Sequence, residues 1–381
     1  MTGRFIPYGR QTVDEHDIAA VVEVLRSDWL TTGPAVPRFE EGFSAFVGAE
    51  HGVAVANGTA ALHLAMLAAG IGPGDEVIVV SLTFVASANA ARYVGAEVVF
   101  ADVREDTLTI DVDHVRTLVT ERTKAIVAVD YAGVPCDLDE LLEVADAHGL
   151  VVIEDACHAP GATYRGRKVG SIAHLSTFSF HPVKSLTTGE GGMVTTNDAG
   201  LAARVRQLRN HGITTDFRQR EAEGTWAYDM EALGFNYRLS DLNCALGASQ
   251  VTKLSGWLEQ RRSLADRYDR LLADLPQVRT PTVPDDRTSG WHLYPVRLQT
   301  EDVAAARQRA FEHLRAGGVG VNVHYLPVYL HSSYRALGHK PGRCPVAEAA
   351  YDGLLSLPMW PGLTHEEQDL VVELLAETLP A

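Results

Sequence analysis

The chain has 381 residues and a mass of 41.3 kDa, and its 46% hydrophobic and 22% charged residues are ordinary values for one or two folded domains. This composition excludes whole-chain disorder, a collagen-like repeat and a disulfide scaffold. The 33 basic and 49 acidic side chains give a net charge of −16, which argues against a nucleic-acid-binding protein because phosphate contacts need clustered Lys and Arg.

Short apolar runs alternate with helical patterns, such as AALHLAMLAAG and LDELLEVADAHG, between residues 52 and 200. Several runs are apolar on successive residues and rich in Val and Ile, which is typical of strands buried on both faces. The predicted strands are residues 52–57, 76–80, 97–102, 125–131, 150–156, 175–180 and 192–196. The alternation predicts an α/β domain with a large, mainly parallel sheet of seven strands.

The pattern changes after a predicted helix at residues 199–210. Residues 211–238 are polar and dotted with glycine, which predicts a long loop, and a loop of this length is usually functional or mobile. Ser240 then caps an amphipathic stretch that we expect to be one long helix ending near Leu272.

The pattern of predicted strands and helices beyond Pro276 indicates a second, smaller domain. The elements predicted there are strands at 291–298 and 319–330, a helix at 303–318 and a closing helix from Glu366. We therefore expect a large domain over residues 1–250 and a smaller α+β domain over residues 251–381.

Cysteine usage and the N-terminus indicate the compartment. The chain has four cysteines, and the closest two, Cys136 and Cys157, are 21 residues apart, so there is no C-x-x-C motif and no zinc knuckle. The N-terminus has no apolar core of signal-peptide length, and no run approaches 18 apolar residues. We expect a cytoplasmic protein with no membrane segment.

Two carboxylates, Glu154 and Asp155, follow the apolar residues 150–153. Ligands of open α/β sheets bind beyond the carboxyl ends of the strands, and a carboxylate buried there needs a cation or a donor. Asp155 is therefore a candidate ligand-binding residue, although a capping or solvated role stays open. Asp155 and His158 would make only half of a metal site, and we predict no metal.

Chemistry that needs a primary amine has five candidates, because the chain contains only five lysines. Lys184 has Pro182, Val183, Ser185 and Leu186 as neighbours, whereas the other four lysines lie in segments with an ordinary surface interpretation. A lysine in apolar surroundings has a depressed pKa and can act as a nucleophile. A solvent-exposed loop lysine is the alternative interpretation.

The segment VAVANGTAALHLA predicts a strand, a turn at Asn57 and Gly58, and a helix. The free N–H groups of that helix start, with the Thr59 hydroxyl, would form an anion site, although plain N-capping is commoner. No G-x-x-x-x-G-K-[ST] motif exists, which excludes P-loop chemistry. A phosphate cradle, a buried carboxylate for a pyridinium nitrogen and an apolar-flanked lysine together match the requirements of pyridoxal phosphate.

The chain resembles the DegT-type sugar aminotransferases, a pyridoxal phosphate family of fold type I, over nearly its whole length. The segments that carry the resemblance are NGTAALHLA, SLTFVASANAA, EDACHAPGA, FSFHPVKSLTTGEGG, GFNYRLSDLNCALG and VNVHYLP. Within the family, DACHAPGA, the SFHP turn and HLYPV followed by VHY are most similar to C4 aminotransferases acting on UDP-linked 4-keto-6-deoxy-HexNAc in pseudaminic acid biosynthesis. The resemblance implies glutamate as the amino donor and a homodimer with shared active sites.

The resemblance also implies residue roles. Lys184 would bind the cofactor covalently and shuttle the proton, Asp155 would pair with the pyridine nitrogen, and His158 would lie by the cofactor's O3′. The remaining cofactor contacts would come from Gly58, Thr59, Ala60 and Ser179 at the phosphate, Phe84 stacked on the ring, and Asn236 at the neighbouring subunit's phosphate. The nucleotide-sugar pocket would be lined by Tyr8, Asp28, Trp29, Leu30, Thr31, His181, His324 and Tyr325.

One departure from the pattern is Leu326, where close relatives often have a lysine after the VHY tripeptide. If that lysine meets the nucleotide diphosphate, this chain must use another cation, and Arg218, Arg220 and Arg238 are available.

Three functional classes stay open. The first is a transaminase acting on a nucleotide-linked keto sugar. The second is a pyridoxal phosphate-dependent sugar 3-dehydratase, but such family members have His at the lysine position, and Lys184 argues against it. The third is a non-catalytic binding or regulatory protein, which would lack Lys184 or Asp155. Among transaminases the acceptor stays open between a UDP- or dTDP-linked 4-keto sugar, a 3-keto sugar, an aminocyclitol precursor and another small ketone or aldehyde.

Overall fold

The computed structural model describes residues 5–215 and 217–380. Its strands are β1 (His51–Val55), β2 (Glu76–Val80), β3 (Glu97–Ala101), β4 (Thr123–Val129), β5 (Val151–Asp155), β6 (Thr163–Tyr164), β7 (Arg167–Lys168), β8 (Leu175–Ser179), β9 (Gly192–Thr196), β10 (Val278–Arg279), β11 (Arg287–Thr288), β12 (Tyr294–Leu298) and β13 (Leu354–Leu357). Its helices are α1 (Glu15–Leu25), α2 (Ala35–Val47), α3 (Gly58–Ala68), α4 (Val85–Tyr93), α5 (Val112–Leu118), α6 (Leu138–His148), α7 (Ala199–Arg209), α8 (Phe217–Glu223), α9 (Asp241–Val251), α10 (Leu254–Leu272), α11 (Val303–Ala316), α12 (Ser332–Arg335), α13 (Pro345–Gly353) and α14 (His365–Ala376).

The central sheet has seven strands in the order β1-β9-β8-β5-β4-β2-β3, and each matches a predicted run to within two residues. β2 pairs in parallel with β3 and β4, β4 with β5, and β5 with β8, whereas β9 is antiparallel to β8 and to β1. The predicted mainly parallel sheet is confirmed. Because parallel strands end at the same edge, the carboxyl ends of β2, β4, β5 and β8 lie together.

Helices cover both faces of this sheet. Val53 and Val55 of β1 pack in a core cluster with α3 to α7, whereas Ala54 between them packs in a second cluster with α2 and α9. Alternate residues of a strand face opposite sides, so a strand covered on both sides is apolar throughout. This is the physical reason why the continuous apolar runs predicted the strands.

Two predictions on the segment between residues 211 and 272 are corrected. The long loop contains a short helix, α8. The single helix after Ser240 is two helices, α9 and α10, separated at Thr252 and Lys253. At the break the Lys253 N–H donates to the carbonyl of Gln250, a tighter turn than the α-helix makes. The apolar pattern continues through the turn, which hides it in the sequence.

The C-terminal region contains a three-stranded sheet in the order β10-β12-β13, with α11 and α14 in the same core cluster. The strand predicted at 319–330 is wrong, because its backbone makes only isolated bridges, such as Ile6 to Val319, and a single 3-10 turn. The strand that pairs with β12 is β13, which the pattern did not predict. The division of the chain at residue 250 stays a prediction.

Helix length and polarity bear on membrane insertion. α10 has 19 residues but carries charged side chains along its length. Within residues 5–215 and 217–380, no helix is both long and apolar enough to cross a membrane.

Candidate active site

A cavity of about 640 Å³ opens at the carboxyl edge of the central sheet, a volume that suits a small-molecule site. The predicted residues that line it are Tyr8, Gly58, Thr59, Phe84, Asp155, His158, Ser179, His181, Lys184, His324 and Tyr325. Ala60, residues 28–31 and Asn236 are not part of its lining. The structure therefore brings together most of the predicted site residues from separate elements.

Asp155 ends β5 and is buried in the cavity wall. Its Oδ2 accepts a hydrogen bond of 2.7 Å from the Ser87 hydroxyl of α4, which lies 2.9 Å from the Thr83 hydroxyl. Its Oδ1 accepts a hydrogen bond of 3.3 Å from the Cys157 N–H. These donors fix the carboxylate while its remaining lone pairs can still receive a proton-bearing ligand. The Ser87 contact is a site feature that the sequence did not reveal.

Lys184 lies in the loop between β8 and β9, where its N–H donates to the carbonyl of His181 at 2.8 Å. Burial lowers the pKa of the Lys184 amine, although the nearby Cys157 and Asp155 partly oppose this shift. A lowered pKa increases the fraction of neutral amine, which is the form that attacks a carbonyl carbon. The predicted nucleophilic lysine is thus half-buried and lines the same cavity as the candidate carboxylate.

The loop that carries Lys184 is held by hydrogen bonds within the chain. The Thr188 N–H and the Thr187 hydroxyl both donate to the carbonyl of Phe180 at 3.0 Å. The Asn243 amide of α9 donates to the carbonyl of Thr188 at 2.6 Å. These bonds fix both ends of the loop and so restrict where the lysine can point.

The start of α3 forms one end of the cavity. Asn57 caps the helix, and its side-chain oxygen accepts a hydrogen bond of 2.8 Å from the Ala60 N–H. The N–H groups of Gly58 and Thr59 have no acceptor inside the helix, so they can bind an anion, whereas the Ala60 N–H is already used. A Cβ on Gly58 would lie 2.8 Å from the Cβ of Ser179, so only glycine allows this close approach.

Neutral imidazoles and a phenol form another wall. The rings of His158 and His292 have centroids 4.4 Å apart, and the Tyr325 hydroxyl lies 3.3 Å from His158 Nε2. His324 Nδ1 lies 2.8 Å from the Ser356 hydroxyl. Burial lowers the pKa of His158 and His292 well below the usual value and that of His324 to about 4, so all three rings are neutral at pH 7.

His292 was missed because its element is far along the chain. The only sequence signal is a histidine placed between Trp291 and Leu293 in an otherwise apolar segment. The segment reaches the cavity because the Gly290 N–H donates to the carbonyl of Gly133 at 2.9 Å and the Leu293 N–H to that of Ala132 at 3.3 Å. Such contacts are tertiary, and no local pattern encodes them.

Of the predicted residues that do not line the cavity, Ala60 is buried in α3, whereas Asn236 and residues 28–31 are exposed. Asn236 is exposed and forms an isolated bridge with Asn210. Residues 28–31 are also exposed and are followed by a turn that Asp241 holds, since its carboxylate accepts hydrogen bonds from the N–H groups of Gly33 at 2.7 Å and Ala35 at 2.9 Å. These segments are fixed but do not contact the cavity of their own chain.

Cations for an anionic substrate are scarce in the cavity, because no arginine lines it in the part of the chain that the structure describes. Arg220 Nη1 donates to the carbonyl of Thr215 at 2.6 Å, and Arg238 Nη1 donates to Asn210 Oδ1 at 2.5 Å. The side chain of Arg218 lies outside the described residues. Neither Arg220 nor Arg238 therefore lines the cavity of its own chain.

Pyridoxal phosphate fits this set of residues. Lys184 can bind an aldehyde carbon, Asp155 can hold the proton of a pyridine nitrogen, and the α3 start with the Ser179 hydroxyl can bind phosphate. His158 Nδ1 is buried and has no hydrogen-bond partner among the described residues, so it is available to a ring oxygen. When bound, the cofactor supplies an electron sink that stabilises a substrate carbanion.

Comparison with known proteins agrees with this chemistry. Residues 11–376 match the DegT/DnrJ/EryC1/StrS aminotransferase family. The spore coat polysaccharide biosynthesis protein SpsC of Bacillus subtilis (strain 168) is 42% identical over 372 residues, which cover 97% of this chain and 96% of SpsC.

Two solved structures are closely similar. Spr1654 of Streptococcus pneumoniae in its PMP form has a TM-score of 0.92 at 32% identity, covering 98% of each chain, and its PLP form has a TM-score of 0.91. Helicobacter pylori PseC, an aminotransferase involved in the biosynthesis of pseudoaminic acid, has a TM-score of 0.91 at 32% identity, covering 98% of this chain and 99% of PseC. The chain therefore belongs to the DegT/DnrJ/EryC1/StrS aminotransferase family and is a pyridoxal phosphate-dependent aminotransferase.

Proposed function

We propose that the enzyme transfers an amino group from glutamate to C4 of a UDP-linked 4-keto-6-deoxy-HexNAc. The observation that carries the proposal is the neutral polar wall of His292, His324 and Tyr325 around Lys184. Neutral imidazole and phenol groups can donate to or accept from the hydroxyl and acetamido groups of a sugar. The similarity to PseC and SpsC supports a sugar as the acceptor.

The proposed roles of the chain's own residues follow from the cavity. Lys184 Nζ removes the α-proton of glutamate in the first half-reaction and delivers a proton to the sugar C4 in the second. Asp155 keeps the proton on the pyridine nitrogen throughout, and the α3 start holds the phosphate in place. His158 stays neutral. It can therefore hydrogen-bond the ring oxygen without adding a positive charge near the pyridine nitrogen that Asp155 keeps protonated.

Cofactor-loaded enzyme tests the acceptor directly. We expect the PMP form, mixed separately with UDP-4-keto, dTDP-4-keto and dTDP-3-keto sugars, to recover the PLP absorbance fastest with the UDP-4-keto sugar. A preference of about tenfold in kcat/KM, equivalent to ~1.4 kcal/mol, would support the acceptor proposal. The Lys184→Ala variant, loaded in the same way, is the control for spontaneous recovery. Faster recovery with a 3-keto sugar or a non-nucleotide ketone would refute the acceptor and leave the transaminase intact.

We also propose a homodimer in which each cavity is completed by the partner subunit. The support is the absence of arginine from the described cavity lining, together with the exposed position of Asn236 and of residues 28–31. A diphosphate needs cations or free donors, and the loop of the second subunit that carries Arg220 and Arg238 could bring them. Asn236 would then bind the phosphate of the neighbouring site.

Mixed dimers test this arrangement. An Asn236→Ala chain mixed with a Lys184→Ala chain should regain about a quarter of the wild-type activity, because half of the dimers are hybrid and each has one intact site. The matched control combines Asp155→Asn with Lys184→Ala, which belong to one cavity, so that every hybrid site retains a defect. Equal recovery in both mixtures, or no recovery after proven subunit exchange, would contradict a shared site.

A further inference from the structure

Two carboxyl groups meet behind the cavity wall. Asp130 directly follows β4, and Glu154 is the penultimate residue of β5, and both side chains are completely buried, with 0% exposure. One oxygen of each has ordinary donors. Glu154 Oε2 accepts from the Ser176 hydroxyl at 2.5 Å and from the Gly170 N–H at 3.2 Å, and Asp130 Oδ1 accepts from the Cys136 N–H at 2.9 Å. These donors are all neutral.

The second oxygen of each carboxyl group lacks such donors in the described part of the chain. Asp130 Oδ2 and Glu154 Oε1 have no donor among the described residues, and the pairing of β4 with β5, in which Ala128 lies beside Glu154, puts the Asp130 and Glu154 side chains on the same face of the sheet as diagonal neighbours. Two ionised carboxylates cannot hydrogen-bond, since both are acceptors only. Burial without a cation raises the pKa of both groups, and the neighbouring Glu154 carboxyl raises the pKa of Asp130 further, whereas the interaction with Asp130 lowers that of Glu154. One proton held between them satisfies both oxygens.

The pair is built into the strand end that carries Asp155. The Asp130 N–H donates to the carbonyl of Asp155 at 3.2 Å, and Glu154 precedes Asp155 in β5. Because successive strand residues point to opposite faces, Asp155 faces the cavity while Glu154 turns away from it towards Ser176. The ionisable groups that interact with the pair are Asp155, Cys136 and Cys157, and burial raises the pKa of both thiols, so they stay neutral.

We propose that Asp130 and Glu154 share one proton and act as a positioning pair for Asp155. The shared hydrogen bond joins the ends of β4 and β5 and so fixes the Asp155 carboxylate. The pair also keeps one net negative charge close to Asp155, which favours a protonated pyridine nitrogen. This inference does not depend on the identity of the acceptor.

Infrared spectroscopy of the cofactor-free protein tests the shared proton. Wild-type protein at pH 7 should show the C=O stretch of a buried protonated carboxyl group, with a shift in D2O. Asp130→Asn and Glu154→Gln should each abolish this band, because an amide donates to the remaining carboxylate without an extra proton. Asp155→Asn should keep it. Absence of the band in wild-type protein, or its persistence in both single variants, would overturn the proposal.

The charge of the pair is tested with the cofactor bound. Each single variant retains one carboxylate, whereas Asp130→Asn/Glu154→Gln has none. We expect the pH midpoint of the cofactor's absorbance change to fall by about one pH unit in the double variant and to stay within a few tenths of a unit in the single variants. Equal shifts in single and double variants, or no shift in the double variant with its thermal unfolding unchanged, would refute the electrostatic role. If the double variant does not fold, the infrared test on the two single variants still decides whether the proton is shared.

Discussion

Replacing Lys184 with alanine should reduce turnover by at least about three orders of magnitude, because it removes the only amine in the described cavity lining that can move the substrate proton. The measurement is single-turnover recovery of the cofactor spectrum after mixing the PMP form with a keto sugar. The variant should still bind the cofactor through the α3 start and Asp155. Borohydride reduction of the wild-type enzyme should fix the cofactor on one peptide, the one containing Lys184.

Lys124→Ala is the matched control, since Lys124 is exposed on β4 and has no role in the cavity. It should leave turnover and labelling unchanged. Labelling at any lysine other than Lys184 would contradict the assignment.

The Lys184→Ala variant should also show that the Lys184 amine destabilises the folded protein. Because burial lowers the pKa of Lys184, the unfolded chain binds the proton more tightly than the folded chain does. The resulting destabilisation is present below the folded pKa and fades as the pH rises towards the unfolded value of about 10.4. Cofactor-free Lys184→Ala should therefore be at least as stable as wild type at pH 7 in urea unfolding. A clear loss of stability there would contradict the lowered pKa.

Asp155→Asn should lower kcat by about two to four orders of magnitude with the fold intact, because an amide cannot hold the pyridinium proton by charge. The measurement is steady-state turnover with saturating glutamate and keto sugar, with circular dichroism to establish the fold. Ser87→Ala is the graded control. It removes one hydrogen bond to Asp155 Oδ2 and should cost only about tenfold. Near-normal turnover in Asp155→Asn would show that the carboxylate is merely structural.

The sheet and the edge that carries the site follow from local sequence patterns. A strand covered on both faces must be apolar at successive residues, so residues 150–153 predicted β5 and placed Asp155 at its carboxyl end. Lys184 was predicted from its apolar neighbours, because buried amines are rare and usually functional. Both inferences use information within a few residues of the position concerned.

The remaining features depend on contacts between distant segments. The alternating pattern at 319–330 is typical of a strand, but its apolar residues pack into two different clusters, Val319 and Val321 in one and Val328 in the other. Burial alone therefore produced the pattern, and no ladder forms. Likewise, Ser87 reaches Asp155 only through the packing of α4 on the sheet. Local periodicity records that a residue is buried and does not record its neighbours.

The hydrogen bonds that close the Lys184 loop are made between groups of the chain itself, as in the paired contacts of Thr187 and Thr188 with Phe180. The conformational entropy of this loop is consequently lost when the protein folds, and little is left to lose when the cofactor arrives. Cofactor binding then requires little rearrangement of this loop. An enzyme that releases and rebinds its cofactor would on this account return to the active state without refolding this loop.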